Sequence, residues 1–184
     1  MKKTLFASVF ATIALSAAAA LAQGTADAKP LGKFGVWEAA WFMDNGNKVC
    51  YMAAKPQSTS SDKPVKGRDE TFLFITHWPA EDEKNAVTIQ AGFTIKPGSK
   101  AVVTVDGKVF NMATGGKDKA TAESDAQMAW MDDQGKEDEL AVAISKGTQL
   151  TVRNASKRGN TITDTYSLQG SGDAYKAINK ECGM

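Results

Sequence analysis

With one histidine and two cysteines in 184 residues, this chain has few of the side chains from which metal centres and nucleophilic active sites are built. A zinc site needs clustered Cys and His, and the two cysteines, Cys50 and Cys182, share no C-x-x-C spacing. Charge of one sign is equally scarce: 22 Lys and Arg stand against 21 Asp and Glu, without the basic excess that nucleic-acid binding normally requires. Nor does a polybasic segment offer itself to anionic lipid. Beyond the first two dozen residues no stretch approaches the ~20 apolar residues of a membrane span, so no membrane insertion is expected of the mature chain.

What is present begins with Lys2 and Lys3, followed by the apolar run Leu5–Leu15 and the small-residue exit Ala20-Leu21-Ala22. Basic start, apolar centre and A-x-A exit are the pattern of a secretory signal peptide over residues 1–22, cleaved ahead of Gln23. Losing two lysines moves the near-neutral balance slightly negative. Residues 23–33 are small and polar with Pro30 and read as a flexible lead-in, leaving residues 34–184 as one domain of ordinary size. Export places the chain in an oxidising compartment, where two thiols are expected to bond. A Cys50–Cys182 bridge would close a very long loop, worth about 5 kcal/mol in the chain-entropy model.

The domain alternates short β-branched and aromatic runs with Gly, Asn, Asp and Pro, the signature of an all-β fold. Nine strands are predicted: 36–43, 48–55, 71–78, 86–95, 101–105, 108–113, 128–131, 149–154 and 161–168. Asn45-Gly46 and Asp106-Gly107 mark tight hairpins. Two helices follow from local signals. Glu137-Asp138-Glu139 favour an N-terminus, with Leu140 and Ile144 on one face and Lys146-Gly147 as the stop. Near the C-terminus, Gly170-Ser171-Gly172-Asp173 precede Ala174, Ile178 and Cys182 at i, i+4 and i+8, a stripe that turns Cys182 towards the body of the protein. The expected fold is a single antiparallel β-sandwich or barrel-like domain with two short peripheral helices, one of them C-terminal.

Chemistry is harder to find. His77 stands before Trp78 and Pro79 at a predicted strand end, where a lone histidine is a hydrogen-bonded structural residue more often than a catalytic one. Glu81-Asp82-Glu83, Asp132-Asp133 and Glu137-Asp138-Glu139 match no calcium loop and read as solvated turns. Gly170-Ser171-Gly172 resembles an anion-binding turn but lacks the nucleotide-binding context, and Gly115-Gly116-Lys117 lacks P-loop spacing. Trp37 and Trp41 share one strand face and read as core. Trp78 is the tryptophan expected to contact a ligand.

Phe34-Gly35-Val36-Trp37, Lys48-Val49-Cys50-Tyr51-Met52-Ala53 with Lys55-Pro56, Phe72–Pro79, Lys146-Gly147-Thr148 and Ser156–Leu168 together resemble the invasion-associated locus B family of exported Gram-negative proteins. The most specific block is Arg158–Leu168, and Cys182 completes the pattern. Two departures are His77-Trp78, where a more basic pair is expected, and Asn160 in place of a commoner threonine. The resemblance implies a periplasmic, secreted or envelope β-rich domain, linked in some members to host-cell entry and without established catalytic residues or cofactors. Its name describes a phenotype rather than a mechanism.

The expected function is therefore an exported, non-enzymatic envelope or interaction protein, with a protein or an envelope polysaccharide as partner and His77, Trp78 and Arg158 as candidate interaction residues. A periplasmic small-molecule binder or hydrolase-like enzyme is the alternative, which a deep pocket holding His77 with a carboxylate and a hydroxyl would favour. Intact-mass analysis of protein isolated from periplasm should find a chain starting at Gln23 with no alkylatable thiol. A retained leader, or two reactive thiols in unreduced protein, would contradict this.

Overall fold

The computed structural model describes residues 28–115 and 125–184. The leader, the start of the lead-in and the Gly116-Lys117 part of the polar loop lie outside the described residues. Among the described residues eleven strands form one antiparallel sheet: β1 (Lys29–Phe34), β2 (Trp37–Asp44), β3 (Asn47–Ala54), β4 (Ser58–Ser61), β5 (Phe72–Trp78), β6 (Glu83–Gln90), β7 (Ala101–Val105), β8 (Lys108–Thr114), β9 (Met128–Trp130), β10 (Gln149–Ala155) and β11 (Thr161–Ser167). Their spatial order is β1-β2-β3-β5-β6-β9-β8-β7-β10-β11-β4, so the sheet does not close and β1 and β4 are its two edges. Two helices, α1 (Gln134–Lys146) and α2 (Ser171–Cys182), pack on it. The all-β, antiparallel, two-helix architecture expected from the sequence is what is found.

Local chemistry explains most of the turns. Asn45 (φ 49°) and Gly46 (φ 87°) join β2 to β3, and Asp106 (φ 46°) and Gly107 (φ 91°) join β7 to β8. Positive φ at both central residues matches the right-handed twist of the flanking strands. Alternation then sorts the faces. On β11, Ile162, Asp164 and Tyr166 are buried, while Thr161, Thr163 and Thr165 form the outward row. Trp37, Met52, Leu73, Ile75, Val87, Ile89, Val103, Leu150, Val152 and Tyr166 belong to one continuous core drawn from both halves of the sheet.

The flexible lead-in requires correction. Residues 29–33 are part of β1, paired with β2 from Lys29↔Trp41 to Phe34↔Trp37. Pro30 is tolerated because β1 is an edge strand, where a missing N–H breaks no central ladder, and a bulge between Pro30 and Gly32 absorbs the misfit. The strand expected over 86–95 stops at Gln90, and Ile95 makes only an isolated bridge to Ser156. Helix α1 starts one turn earlier than its acidic run suggests, because the Asp133 side chain accepts from the Lys136 N–H at 2.9 Å and caps it.

Helix α2 buries Ala174 and Ile178 and ends on the Cys50–Cys182 disulfide, with Cα atoms 6.1 Å apart. Cys50 lies on the inner face of β3, so the bond fastens the helix to the middle of one half-sheet. The β1–β2 turn meets the start of α2 backbone to backbone. A Cβ on Gly170 (φ 90°) would lie 2.1 Å from the Phe34 carbonyl oxygen, and one on Gly35 (φ 61°) 2.5 Å from that of Gln169. Beside this contact the Trp37 indole N–H donates to the Ser167 carbonyl at 3.1 Å, joining β2 to β11 although the two stand near opposite ends of the strand order. By contrast a Cβ on Gly159 (φ 84°) would meet only the Lys63 Nζ, at 4.0 Å. Chemical denaturation should therefore find Gly170→Ala destabilised by roughly 3 kcal/mol or more and Gly159→Ala by about 1 kcal/mol, the latter from backbone strain alone. Equal losses would contradict the close approach.

Candidate functional site

Sequence neighbours separate in space because β5 alternates. His77 points inward and is fully buried, paired in register with Cys50, whereas the next residue, Trp78, is half-buried on the other face. His77 Nδ1 accepts the Asn85 backbone N–H at 3.0 Å. The Asn85 side chain donates to Asp138 Oδ1 and accepts from the Tyr175 hydroxyl, both at 2.6 Å, and the Tyr175 ring meets His77 edge-on at 6.1 Å. One asparagine in a left-handed conformation (φ 62°) thus links β6, α1 and α2. Burial lowers the His77 pKa, outweighing the Asn179 side chain that favours the charged ring, so the imidazole is neutral. His77 Nε2 has no hydrogen bond of good geometry among the described residues. A buried ring with Nδ1 engaged as an acceptor offers no face to a surface partner.

The carboxylates also divide differently from their sequence run. Glu137 was expected in a solvated turn but is buried, and its Oε1 accepts the Val87 N–H at 2.8 Å. Strand β9 pairs with β6 only from Thr88 to Gln90, so the glutamate serves a backbone donor that the short strand leaves without a partner. The sequence carries a signal for this. Glu137 shares the helical stripe of Leu140, Ala141 and Ile144. Burial pushes its pKa up to about 7, aided by Glu83 and Asp138 and opposed by the Val87 hydrogen bond. Among the described residues, no group of three or more His, Cys, Asp or Glu side chains could hold a metal ion.

Arg158 belongs to a different place. The β10–β11 turn grips the segment 62–67 that follows β4. Arg158 Nη1 donates to the Lys66 carbonyl at 3.3 Å, Lys63 Nζ to the Gly159 carbonyl at 3.2 Å, and Asn160 Nδ2 to the Lys63 and Pro64 carbonyls at 3.4 and 3.3 Å. Asp62 Oδ1 accepts the Thr161 N–H at 2.8 Å. Beneath this clasp Arg68 is held by Asp164 through two bonds of 2.8 and 2.6 Å, and its Nε donates to the Ala91 carbonyl at 2.9 Å. Thr59, Ser61, Asp62, Lys63, Pro64 and Val65 line a surface depression of about 450 Å³ beside the clasp, and His77 is not among its walls.

Aromatic side chains form a third feature. Phe42, Tyr51, Phe74 and Phe72 run across the outer face of β2, β3 and β5 with successive ring centroids 6.0, 6.4 and 5.4 Å apart. Trp37 is core as expected, whereas Trp41 is only partly buried and carries the Lys29 and Lys48 ammonium groups at 4.5 and 4.6 Å from its ring. Of the three candidate interaction residues, His77 is interior, Trp78 is half-covered and Arg158 is exposed, and no common site brings them together.

A family model described as "Invasion associated locus B (IalB) protein" matches residues 37–179. A solved structure titled as invasion associated protein b from Bartonella henselae is similar over 82% of this chain and 95% of its own, at 14% identity and a TM-score of 0.53, a likeness of fold. No curated protein matches the chain.

The two buried titrating groups oppose each other. A raised carboxylate pKa means the folded state holds its proton longer than the unfolded state, so Glu137 costs stability as pH rises from about 4.5 to about 7. The lowered His77 pKa costs stability as pH falls below 6.5, where the unfolded chain takes up the proton first. Glu137→Gln keeps the acceptor and removes the charge. Urea titrations should find the variant more stable than the parent by roughly 1–3 kcal/mol at pH 8, with the gap closing towards pH 4.5. A gap that ignores pH would contradict the burial of an ionisable group here.

Proposed function

The chain belongs to the invasion-associated locus B family, and from that membership we propose that it is an exported, non-enzymatic envelope protein that works by contact, with the clasp around Arg158 as its contact surface. The supporting observation is the clasp itself. Two segments more than 90 residues apart in sequence are bound by hydrogen bonds into one shaped, solvent-facing surface next to a depression. Functional residues concentrate on loops held by a rigid scaffold, and these loops sit on β4, β10 and β11. The disulfide supports residence in an oxidising compartment, and no helix among the described residues is long and apolar enough to cross a membrane. The interior placement of His77 favours a binding role over the hydrolase-like alternative. A role in host-cell contact is part of the same reading.

The test pairs stability with capture. Arg158→Ala should change stability by no more than about 0.5 kcal/mol, since the side chain is exposed and makes a single long hydrogen bond. The same variant should retain less envelope material than the parent when each is immobilised and challenged with envelope extract, with bound species identified by mass spectrometry. Identical capture by a fully folded variant would remove the clasp from the proposal.

A further inference from the structure

Near-neutral overall charge conceals a strong local imbalance at the clasp. Lys63, Lys66, Lys96, Lys157 and Arg158 are all exposed, and none forms an ion pair with a described residue. Backbone bonds hold them together: the Lys96 N–H donates to the Ala155 carbonyl and the Lys157 N–H to the Thr94 carbonyl, at 2.8 and 2.9 Å, beside the contacts of Lys63 and Arg158 already described. Only Asp62 and Asp69 bring exposed negative charge to the same segments. The other nearby charges are neutralised, Arg68 by Asp164 and Glu70 by Lys55. At the far end of β5 and β6, roughly 20 Å away, the turn Pro79–Glu81 with Asp82 and Glu83 and the start of α1 with Asp133 and Asp138 present the opposite charge.

Resting on the contact-surface reading, we infer that the clasp binds an acidic polysaccharide, whose carboxylate-bearing sugars lie along the β4 edge. Three features select this chemistry. The depression is lined by Ser61, Asp62 and Lys63, which offer a hydroxyl, a carboxylate acceptor and a cation, the complement of a sugar that carries both hydroxyls and an acid. The hydroxyls of Ser58, Ser60 and Ser61 make no hydrogen bond to another described residue, and all four residues of β4 are exposed, so the edge presents free hydroxyls on both its faces, Ser61 beside the depression and Ser58 and Ser60 on the side of Thr165 and Thr163. Finally, Asp62 and Asp69 interrupt the cations. That pattern repels the dense phosphates of nucleic acid or an anionic bilayer and admits a polymer whose charges alternate with neutral hydroxyls. Lys63 faces the depression, and Lys66, Lys157 and Arg158 meet the charges of neighbouring sugars. The depression's volume is within the usual range of small-ligand sites, about 300–1,000 Å³.

Isothermal titration calorimetry of the mature protein with a short oligogalacturonate tests this. Binding is expected, with none to a neutral dextran oligomer of the same length, and it should weaken several-fold as NaCl is raised. Lys63→Glu/Arg158→Glu should bind about tenfold more weakly or worse, whereas Lys136→Glu, a reversal at the acidic end, should bind as the parent does. Near-UV dichroism and urea melts confirm that each variant is folded, and Arg158→Glu alone serves if the double variant is not. Equal affinity for dextran, or undiminished binding by a folded clasp variant, would overturn the inference. Binding to phosphatidylglycerol vesicles without binding to oligogalacturonate would replace it with a membrane surface. Clasp-dependent capture of an envelope protein without glycan binding would also overturn it, while leaving the contact surface in place.

Discussion

Asp164 occupies an inward position on β11, almost wholly out of water, and a carboxylate there is tolerable only if its charge is met from inside the protein. Arg68 meets it through two parallel hydrogen bonds, and the Thr59 hydroxyl donates a further one at 2.7 Å. The guanidinium reaches the Ala91 carbonyl as well and lies 5.2 Å from the Phe93 ring. Through one arginine, then, β4, the end of β6 and β11 are fixed to the segment entering β5. Breaking such a pair strands a buried charge, at a cost of about 3–5 kcal/mol. The clasp depends on this pair, because residues 62–67 are suspended between β4 and Arg68 and would lose their position without it.

The other end of the molecule is organised by Asn85. Its backbone N–H reaches His77, its side chain reaches Asp138 and Tyr175, and the three partners lie on β5, α1 and α2. Glu137 adds a bond from α1 to the β6 backbone, and the disulfide holds the far end of α2 against β3. Helices on an open sheet need such cross-links, since the sheet edge supplies no closing strand to trap them. His77 and Glu137 respond to pH in opposite senses, so between about pH 4.5 and 6.5 the growing cost of the Glu137 charge is offset by the falling cost of keeping His77 neutral.

Much of the architecture was legible in the sequence. Asn45-Gly46 and Asp106-Gly107 announced their hairpins, the i, i+4, i+8 stripe placed Cys182 towards Cys50, and alternation on β11 identified its faces. The failures have particular physical causes. Strand β1 was hidden by Pro30, which argues against a strand only where both neighbours need its N–H. Strand β4 is Ser-Thr-Ser-Ser and has no hydrophobic period because neither of its sides is buried. His77 is the hydrogen-bonded structural residue its strand-end position suggests, but its place among the candidate interaction residues overlooked that register with Cys50 puts it beneath α2. Glu137 was hidden by its acidic neighbours. The basic cluster escaped because its members come from three separated segments and net charge averages them away.

An unclosed sheet has a hazard that a barrel avoids: each free edge is a template on which another chain can add a strand. Here both templates are blunted. Strand β1 carries a proline, a bulge and lysines at 29 and 33, which interrupt any straight run of free donors. Strand β4 has four hydroxyl-bearing residues and no apolar side chain, and a lysine and a proline follow at 63 and 64. A fibril needs long, flat, apolar edges in register, and neither border of this sheet can supply one. Neither end of the sheet therefore offers the kind of template along which separate molecules could be stitched into one continuous ribbon.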